Sequence, residues 1–273
     1  MSRAAWGSIA STFEELWQTR ALLMSLVARD LRTRYAGSSG GLLWAVLAPL
    51  LQLLILTTVF SYVLKVRFGD DGRASFAVAL AWGMFPWIAV QEGAVRSTSA
   101  LLEGSVMVKR MAFPPALLLV QPVFSALVHE IVALGLLLLV MPLLGVSPTS
   151  GSLWILVPLA AQAAFAVGIG WILGVSNVYF RDTAHVVGPL LQAWFYLTPI
   201  VYPLEAAPAA LKGVLGLNPL SGIVEGFRSF AMVGSLSDVG RWSLLWSGCA
   251  GLGVLLLGAL VVAKARDEIA DLV

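Results

Sequence analysis

The two side chains best placed to do chemistry are neighbours. His129 and Glu130 are the only charged or titrating acid–base groups between Arg110 and Tyr179. Side by side they could hand a proton from one face of a membrane to the other. Placing an ionisable group at this depth of an apolar run costs about 2.5–3.5 kcal/mol, so such groups face protein or water. A relay needs a succession of them, and this is one isolated pair. The reading that fits best is a polar pair satisfied by neighbouring helices.

Other chemistry finds little support. No G-x-x-x-x-G-K-[ST] phosphate loop, no G-x-S-x-G elbow and no H-E-x-x-H stands in the sequence. Two histidines, His129 and His185, do not make a metal site, and the single cysteine, Cys249, cannot close an intrachain disulfide. No basic run interleaved with aromatics points to nucleic acid, and the net charge of +2 is small. The chain brings neither a catalytic cluster nor an energy source, so active transport would need a partner that hydrolyses ATP, or an ion gradient.

The elements that hold these residues are membrane helices. Apolar residues make up 59% of the chain and charged residues 12%, against roughly 45–50% and about 25% in soluble domains. A soluble core cannot hide that much apolar surface. Runs of ~20 apolar residues cross the ~30 Å hydrocarbon core, and they predict six spans near residues 41–64, 74–92, 116–143, 152–178, 186–202 and 243–263. Gly145, Pro148 and Gly151 mark the turn inside the long uncharged stretch that follows Glu130. The 273 residues read as a single transmembrane domain, with no internal repeat.

Orientation follows from Lys and Arg in the connections. With both ends inside, 11 of the 17 face the cytosol: Arg3, Arg20, Arg29, Arg32, Arg34, Arg96, Lys109, Arg110, Arg181, Lys264 and Arg266. The other six, Lys65, Arg67, Arg73, Lys212, Arg228 and Arg241, lie outside. Both termini are therefore predicted to be cytosolic, and no cleavable signal peptide is expected ahead of the first span.

Before that span, residues 8–35 form an amphipathic pattern. Phe13, Leu16, Trp17, Met24, Val27 and Leu31 recur at helical spacing, and Arg20, Arg29, Arg32 and Arg34 supply the polar side. This predicts a helix lying in the interface, either a plain anchor or an element that moves with a cytosolic partner; the pattern alone favours the anchor. Residues 97–113 form a cytosolic loop that exposes Glu103, Lys109 and Arg110 and ends at Pro114-Pro115, either an ordinary charged loop or a short helix along the membrane. Residues 203–242 are too apolar for a flexible loop and are broken by Pro208, Gly216, Pro219 and Gly222, which predicts short outer re-entrant helices at 208–233. Aromatics cluster at Trp82, Phe85 and Trp87 and at Trp194, Phe195, Tyr196 and Tyr202; interfacial belts are the default, and a glycan-stacking pore wall is the alternative.

Five short stretches, in order from residue 28 to residue 228, resemble one family. They are Ala28-Arg29-Asp30-Leu31-Arg32-Thr33-Arg34-Tyr35 with Gly40-Gly41-Leu42-Leu43-Trp44-Ala45 and Pro49-Leu50; Phe85-Pro86-Trp87; Leu101-Leu102-Glu103 through Val108-Lys109-Arg110 to Phe113-Pro114; Asn177-Val178-Tyr179-Phe180-Arg181-Asp182; and Leu217-Asn218-Pro219-Leu220 with Val224-Glu225-Gly226-Phe227-Arg228. The chain resembles the membrane permease of type-2 ABC exporters for cell-surface polysaccharide, the class that moves O-antigen, capsule or teichoic acid. The pair His129-Glu130 departs from that resemblance, which implies a neutral polar residue there.

The resemblance implies an all-α integral membrane protein in the bacterial inner membrane. It implies a homodimer served by two copies of a cytosolic ABC ATPase. ATP and Mg would sit in that partner, with no cofactor bound by this chain, and the cargo would be a lipid-linked glycan. Glu103, Lys109 and Arg110, with Arg181 and Asp182, would contact the ATPase. Arg29, Asp30, Arg32, Arg34 and Tyr35 would lie on the interfacial helix beside it. Trp44, Phe60, Trp194, Phe195 and Tyr196 would line a conduit between two copies. Asn218, Pro219, Glu225 and Arg228 would belong to the outer re-entrant helices. The competing readings are a type-2 permease for a lipid or drug, a proton-linked carrier built on His129 and Glu130, a membrane enzyme and a bare scaffold.

Overall fold

A computed structural model describes residues 3–34, 43–66, 72–111, 113–204 and 207–273. All regular structure among them is helical. The amphipathic N-terminus forms α1 (Arg3–Gln18) and α2 (Arg20–Thr33). The two are separated at Thr19, whose hydroxyl donates back to the Glu15 carbonyl at 2.7 Å, a local bond that competes with regular helix. Then come α3 (Leu43–Thr57), ending in a wider π-type turn over Thr58–Val63, α4 (Gly72–Glu103) and the short α5 (Ser105–Met111).

Proline and glycine place the next boundaries. Pro115 opens α6 (Pro115–Val140), at the one position where a missing N–H costs nothing. A 3₁₀ turn over Met141–Leu144 ends at Gly145, whose φ of 78° needs the left-handed region. The structure continues with α7 (Leu156–Tyr179), α8 (Thr183–Tyr196), α9 (Ala209–Leu217), α10 (Pro219–Arg228) and α11 (Asp238–Leu272). Ser237 caps α11 by accepting from the Gly240 N–H at 3.1 Å.

Among the described residues, four helices are long and apolar enough to cross a membrane: Ser75–Glu103, Pro115–Leu144, Ser150–Tyr179 and Asp238–Arg266. Each has 29 or 30 residues, about 44 Å of helix against a ~30 Å core. The first-span region is shorter, an apolar helix over Pro49–Val63. The expected fifth span, 186–202, is regular only as α8, with 14 residues or about 21 Å, and the chain turns from Leu197 onward. The second expected span runs past Glu92 to Glu103 without a break, with Pro86 inside it; the charges within it, Glu92 and Arg96, find partners on the N-terminal segment. The predicted interfacial helix and the predicted outer short helices coincide with α1–α2 and α9–α10. Tyr35 lies outside the described residues.

The core is built from α4, α6, α7 and α11. Trp82, Leu80, Met84, Leu117 and Trp171 are fully buried, and the Trp171 indole donates to the Ala116 carbonyl at 3.1 Å. A seam of small residues lets α7 and α11 touch backbone to backbone: a Cβ added at Gly258 would stand 2.6 Å from the Gly168 oxygen. Leu139, Leu143, Leu153 and Trp242 point outward and are exposed, the apolar exterior that suits lipid and not water. Arg266 of α11 donates to Glu15 of α1 at 2.5 Å, so the helices at the two chain ends meet at one end of the bundle.

Candidate functional site

Two of the charges that the sequence placed on the N-terminal amphipathic segment, Asp30 and Arg34, are turned inward onto α4. Arg96 holds both carboxylate oxygens of Asp30, at 2.5 and 3.0 Å, and reaches Glu92 at 3.3 Å, one helical turn earlier. Glu92 in turn takes both ends of the Arg34 guanidinium. Arg34 Nη1 also lies 2.9 Å from His129 Nδ1; arginine only donates, so Nδ1 is the acceptor. Burial by itself would raise the Asp30 carboxyl. Bonding and charge from Arg96, with help from Ser125 and Arg34, outweigh it and hold the group below its usual value. Arg29 and Arg32 face away and are exposed.

His129 and Glu130 have different partners. Consecutive helical residues point about 100° apart. His129 meets Arg34, while Glu130 is buried and its Oε2 accepts from Gln162 Nε2 of α7 at 2.5 Å. The same amide donates to the Pro86 carbonyl at 3.2 Å. Glu130 Oε1 and Gln162 Oε1 have no partner among the described residues. Gln162 was not among the sequence candidates; a lone amide in a long apolar run was the available signal. Glu92 and Arg96 were not among the candidates: Glu92 read as the end of the second span and Arg96 as a charge of the cytosolic connection after it. The contact with Arg34 sets the His129–Glu130 pair at the level where the amphipathic segment ends and the first apolar helix begins.

Next to this cluster, α3, α4 and α6 line a half-open cavity of about 660 Å³. Arg34, Glu92, His129 and Glu130 line it, together with Trp44, Gln52, Phe85 and aliphatic side chains of α3, α4 and α6. The other expected conduit residues sit elsewhere. Phe60 is half-buried on the turn after α3. Phe195 is buried edge-on against Trp87, with ring centres 5.8 Å apart. Trp194 packs on Phe165 at 5.8 Å, and Tyr196 is exposed.

At the end of the bundle where α1 and α11 meet, Glu103 and Lys109 are exposed on the tip formed by α4 and α5. The side chain of Arg110 is outside the described ones. Arg181 and Asp182 are exposed in the turn between α7 and α8. Beside them the Tyr179 hydroxyl donates to Glu268 of α11 at 2.6 Å, and Asn177 accepts from the Ala184 N–H at 3.2 Å. Glu103, Lys109, Arg181 and Asp182 make no ion pair among the described residues.

At the opposite end, Asn218 ties three pieces together. It caps α10 by accepting from the Leu220 N–H at 3.0 Å, and Pro219 takes the first helical position behind it. It also accepts from the Trp194 indole at 3.1 Å and donates to the Leu197 carbonyl at 3.0 Å. Arg228 is buried, with Nε on the Ala79 carbonyl at 2.8 Å, Nη1 on Pro199 at 2.6 Å and Nη2 on the Ile200 carbonyl. Glu225 is exposed and accepts from Ser229 at 2.9 Å. Thr149, before α7, bonds the Phe230 carbonyl at 2.7 Å, so the short helices are anchored at both ends.

Comparison with known proteins follows the same layout. The chain is 30% identical over 261 residues to the O-antigen export system permease protein RfbA of Myxococcus xanthus, covering 94% of this chain and 97% of that one. It is 28% identical over 218 residues to the protein of that name from Klebsiella pneumoniae, covering 79% and 82%. It is 27% identical over 245 residues to the polysialic acid transport protein KpsM of Escherichia coli, covering 89% and 93%. Residues 21–232 match the ABC-2 type transporter family, a match that runs from α2 to the turn after α10, and the chain belongs to that family.

Proposed function

We propose that this chain is the membrane permease of an ATP-driven exporter of cell-surface polysaccharide. Two copies would form a conduit and work with two copies of a cytosolic ABC ATPase, which would hold ATP and Mg. The cargo would be a lipid-linked glycan taken from the cytosolic leaflet of a bacterial inner membrane. The observation that carries this reading is the likeness, along nearly the whole chain, to permeases named for O-antigen and polysialic acid.

The geometry supports the parts of the reading. Glu103 and Lys109 on the α4–α5 tip, and Arg181 and Asp182 in the turn between α7 and α8, are exposed and make no ion pair among the described residues, as a docking face for a motor would. Both termini would be cytosolic, as the Lys and Arg balance favours. Six crossings would use α3 with its turn, α4, α6, α7, α8 with the residues after it, and α11, in one domain over residues 1–273. Residues 208–233 would dip into the outer leaflet. ATP-driven closure would push on the tip, and α4 would carry that push to Glu92 and Arg96, where the N-terminal helix is tied on. Work is transferred only if the ATPase binds the two permease states with different affinity.

Purification of the tagged chain from its native host tests the proposal. Recovery of an ATPase with a Walker motif in equal amount, and loss of surface polysaccharide on deletion of the gene, are expected. A chain that purifies without an ATPase, with polysaccharide export intact in the deletion strain, would overturn it.

A further inference from the structure

Helix α11 is longer than a crossing requires. It has 35 residues, and its uncharged stretch 242–263, about 33 Å of helix, already matches the ~30 Å hydrocarbon core. Residues 264–272 carry the helix on for about 13 Å more. In that extension Ala265 and Ile269 are buried and lie one turn apart. At about 100° per residue, Arg266 stands about 80° to one side of this stripe and Glu268 about 80° to the other. Each flank is bonded to a different element. Arg266 donates to Glu15 of α1 at 2.5 Å. Glu268 accepts from the Tyr179 hydroxyl, at the end of α7, at 2.6 Å. Helix α11 also packs against α5.

We propose that residues 264–272 brace the two charged surfaces at this end of the bundle, with Arg266, Glu15, Glu268 and Tyr179 as positioning residues. The proposal rests on the exporter reading, in which the α4–α5 tip and the α7–α8 turn receive the push of a motor. The brace reaches both. Tyr179 directly precedes the turn that exposes Phe180, Arg181 and Asp182, and α5 lies against α11. Helix α1 closes the frame. Its Ile9 and Thr12 are buried, and its Phe13 meets Trp171 of α7 edge-on at 5.9 Å. The helix after it is tied to α4 through Asp30 and Arg96. The two flanking bonds are weak, because Tyr179 is 42% exposed and the Arg266 side chain 49%, and water screens such contacts. Adhesion comes from the buried stripe, and the bonds set the angle at which α11 meets its neighbours. Their loss should spoil the transfer of a push and leave the fold in place.

The test uses the full chain in its host, in a strain lacking the gene, with the co-purified ATPase. Tyr179→Phe with Arg266→Ala removes both bonds. Export should fall about threefold for each bond and about tenfold for the two, as exposed contacts allow. Chain abundance, ATPase recovery and the ATP hydrolysis rate should stay within about twofold of the unchanged complex, a split that simple loss of stability does not produce. The swap Glu15→Arg with Arg266→Glu should restore export, and Arg266→Glu alone should not. In the chain alone, hydrogen exchange in the double variant should quicken over 180–186 and in α5 and stay slow in the middle of α7. Unaltered export or unaltered exchange, beside an unchanged chain that recovers its ATPase, would overturn the brace alone. Abundance and ATPase recovery that fall in step with export would do the same. No ATPase recovered even with the unchanged chain would overturn the exporter reading, and the brace with it.

Discussion

Arg96 and Asp30, 66 positions apart in sequence, form a two-point ion pair that fastens the N-terminal amphipathic helix to α4. Neither side chain is more than a third exposed, so water screens the pair only in part. Replacing Arg96 by Ala leaves the Asp30 carboxylate facing Glu92 uncompensated. A loss of about 1–3 kcal/mol is expected, between the value of an exposed pair and that of a buried one. Thermal unfolding in detergent measures it, and the swap Asp30→Arg with Arg96→Asp should recover part of the loss.

The same pair sets a pH expectation. The Asp30 carboxyl is held below its ordinary value of 3.8, so its contribution is complete above that value and fades only as pH falls through the lowered one. Between about pH 5 and pH 8 this group should leave stability unchanged. A stability loss near pH 6 that vanishes in Asp30→Asn would contradict the assignment.

Arg228 should tolerate no apolar replacement. Its guanidinium serves the carbonyls of Ala79, Pro199 and Ile200, and Arg228→Met would strand them. Each stranded buried carbonyl costs about 1–3 kcal/mol, so the variant should fail to accumulate in membranes. Arg228→Lys keeps the charge and loses the fork, and it should fall between the two. Immunoblots of membrane fractions rank the three.

Asn218→Ala removes the cap of α10 and the bonds to Trp194 and Leu197. The cap is worth about 1 kcal/mol. Hydrogen exchange should quicken in α10 and at the end of α8, while α7 and α11 stay protected. Uniform loss of protection would show that the outer segment is no separate unit.

Coupling to the proposed motor is tested by Lys109→Glu with Arg110→Glu and Glu103→Ala. These positions serve no described intramolecular pair, so the triple variant should fold and reach the membrane. Export should fall at least about tenfold, as a lost interface charge cluster allows. Unaltered export at equal abundance would remove the coupling role from this tip.

Membrane insertion, helical class and the amphipathic N-terminus were all legible from residues 1–273 without coordinates. So were the short helices that begin after Pro208 and at Pro219. Transfer of side chains from water to lipid is close to additive and local, so run length and periodicity report it. The family was legible as well, because its short motifs keep their order along the chain. Which polar groups meet was not legible. Glu92 read as the end of a span and Arg96 as a loop charge, yet both lie inside one helix, where Arg34 and Asp30 pair with them. His129 and Glu130 read as a pair, yet helical geometry turns one to Arg34 and the other to Gln162. Arg228 read as an outer positive charge and is buried on three carbonyls. Such pairings depend on which helix faces are pressed together, a non-local outcome of packing, and only the tertiary structure decided them.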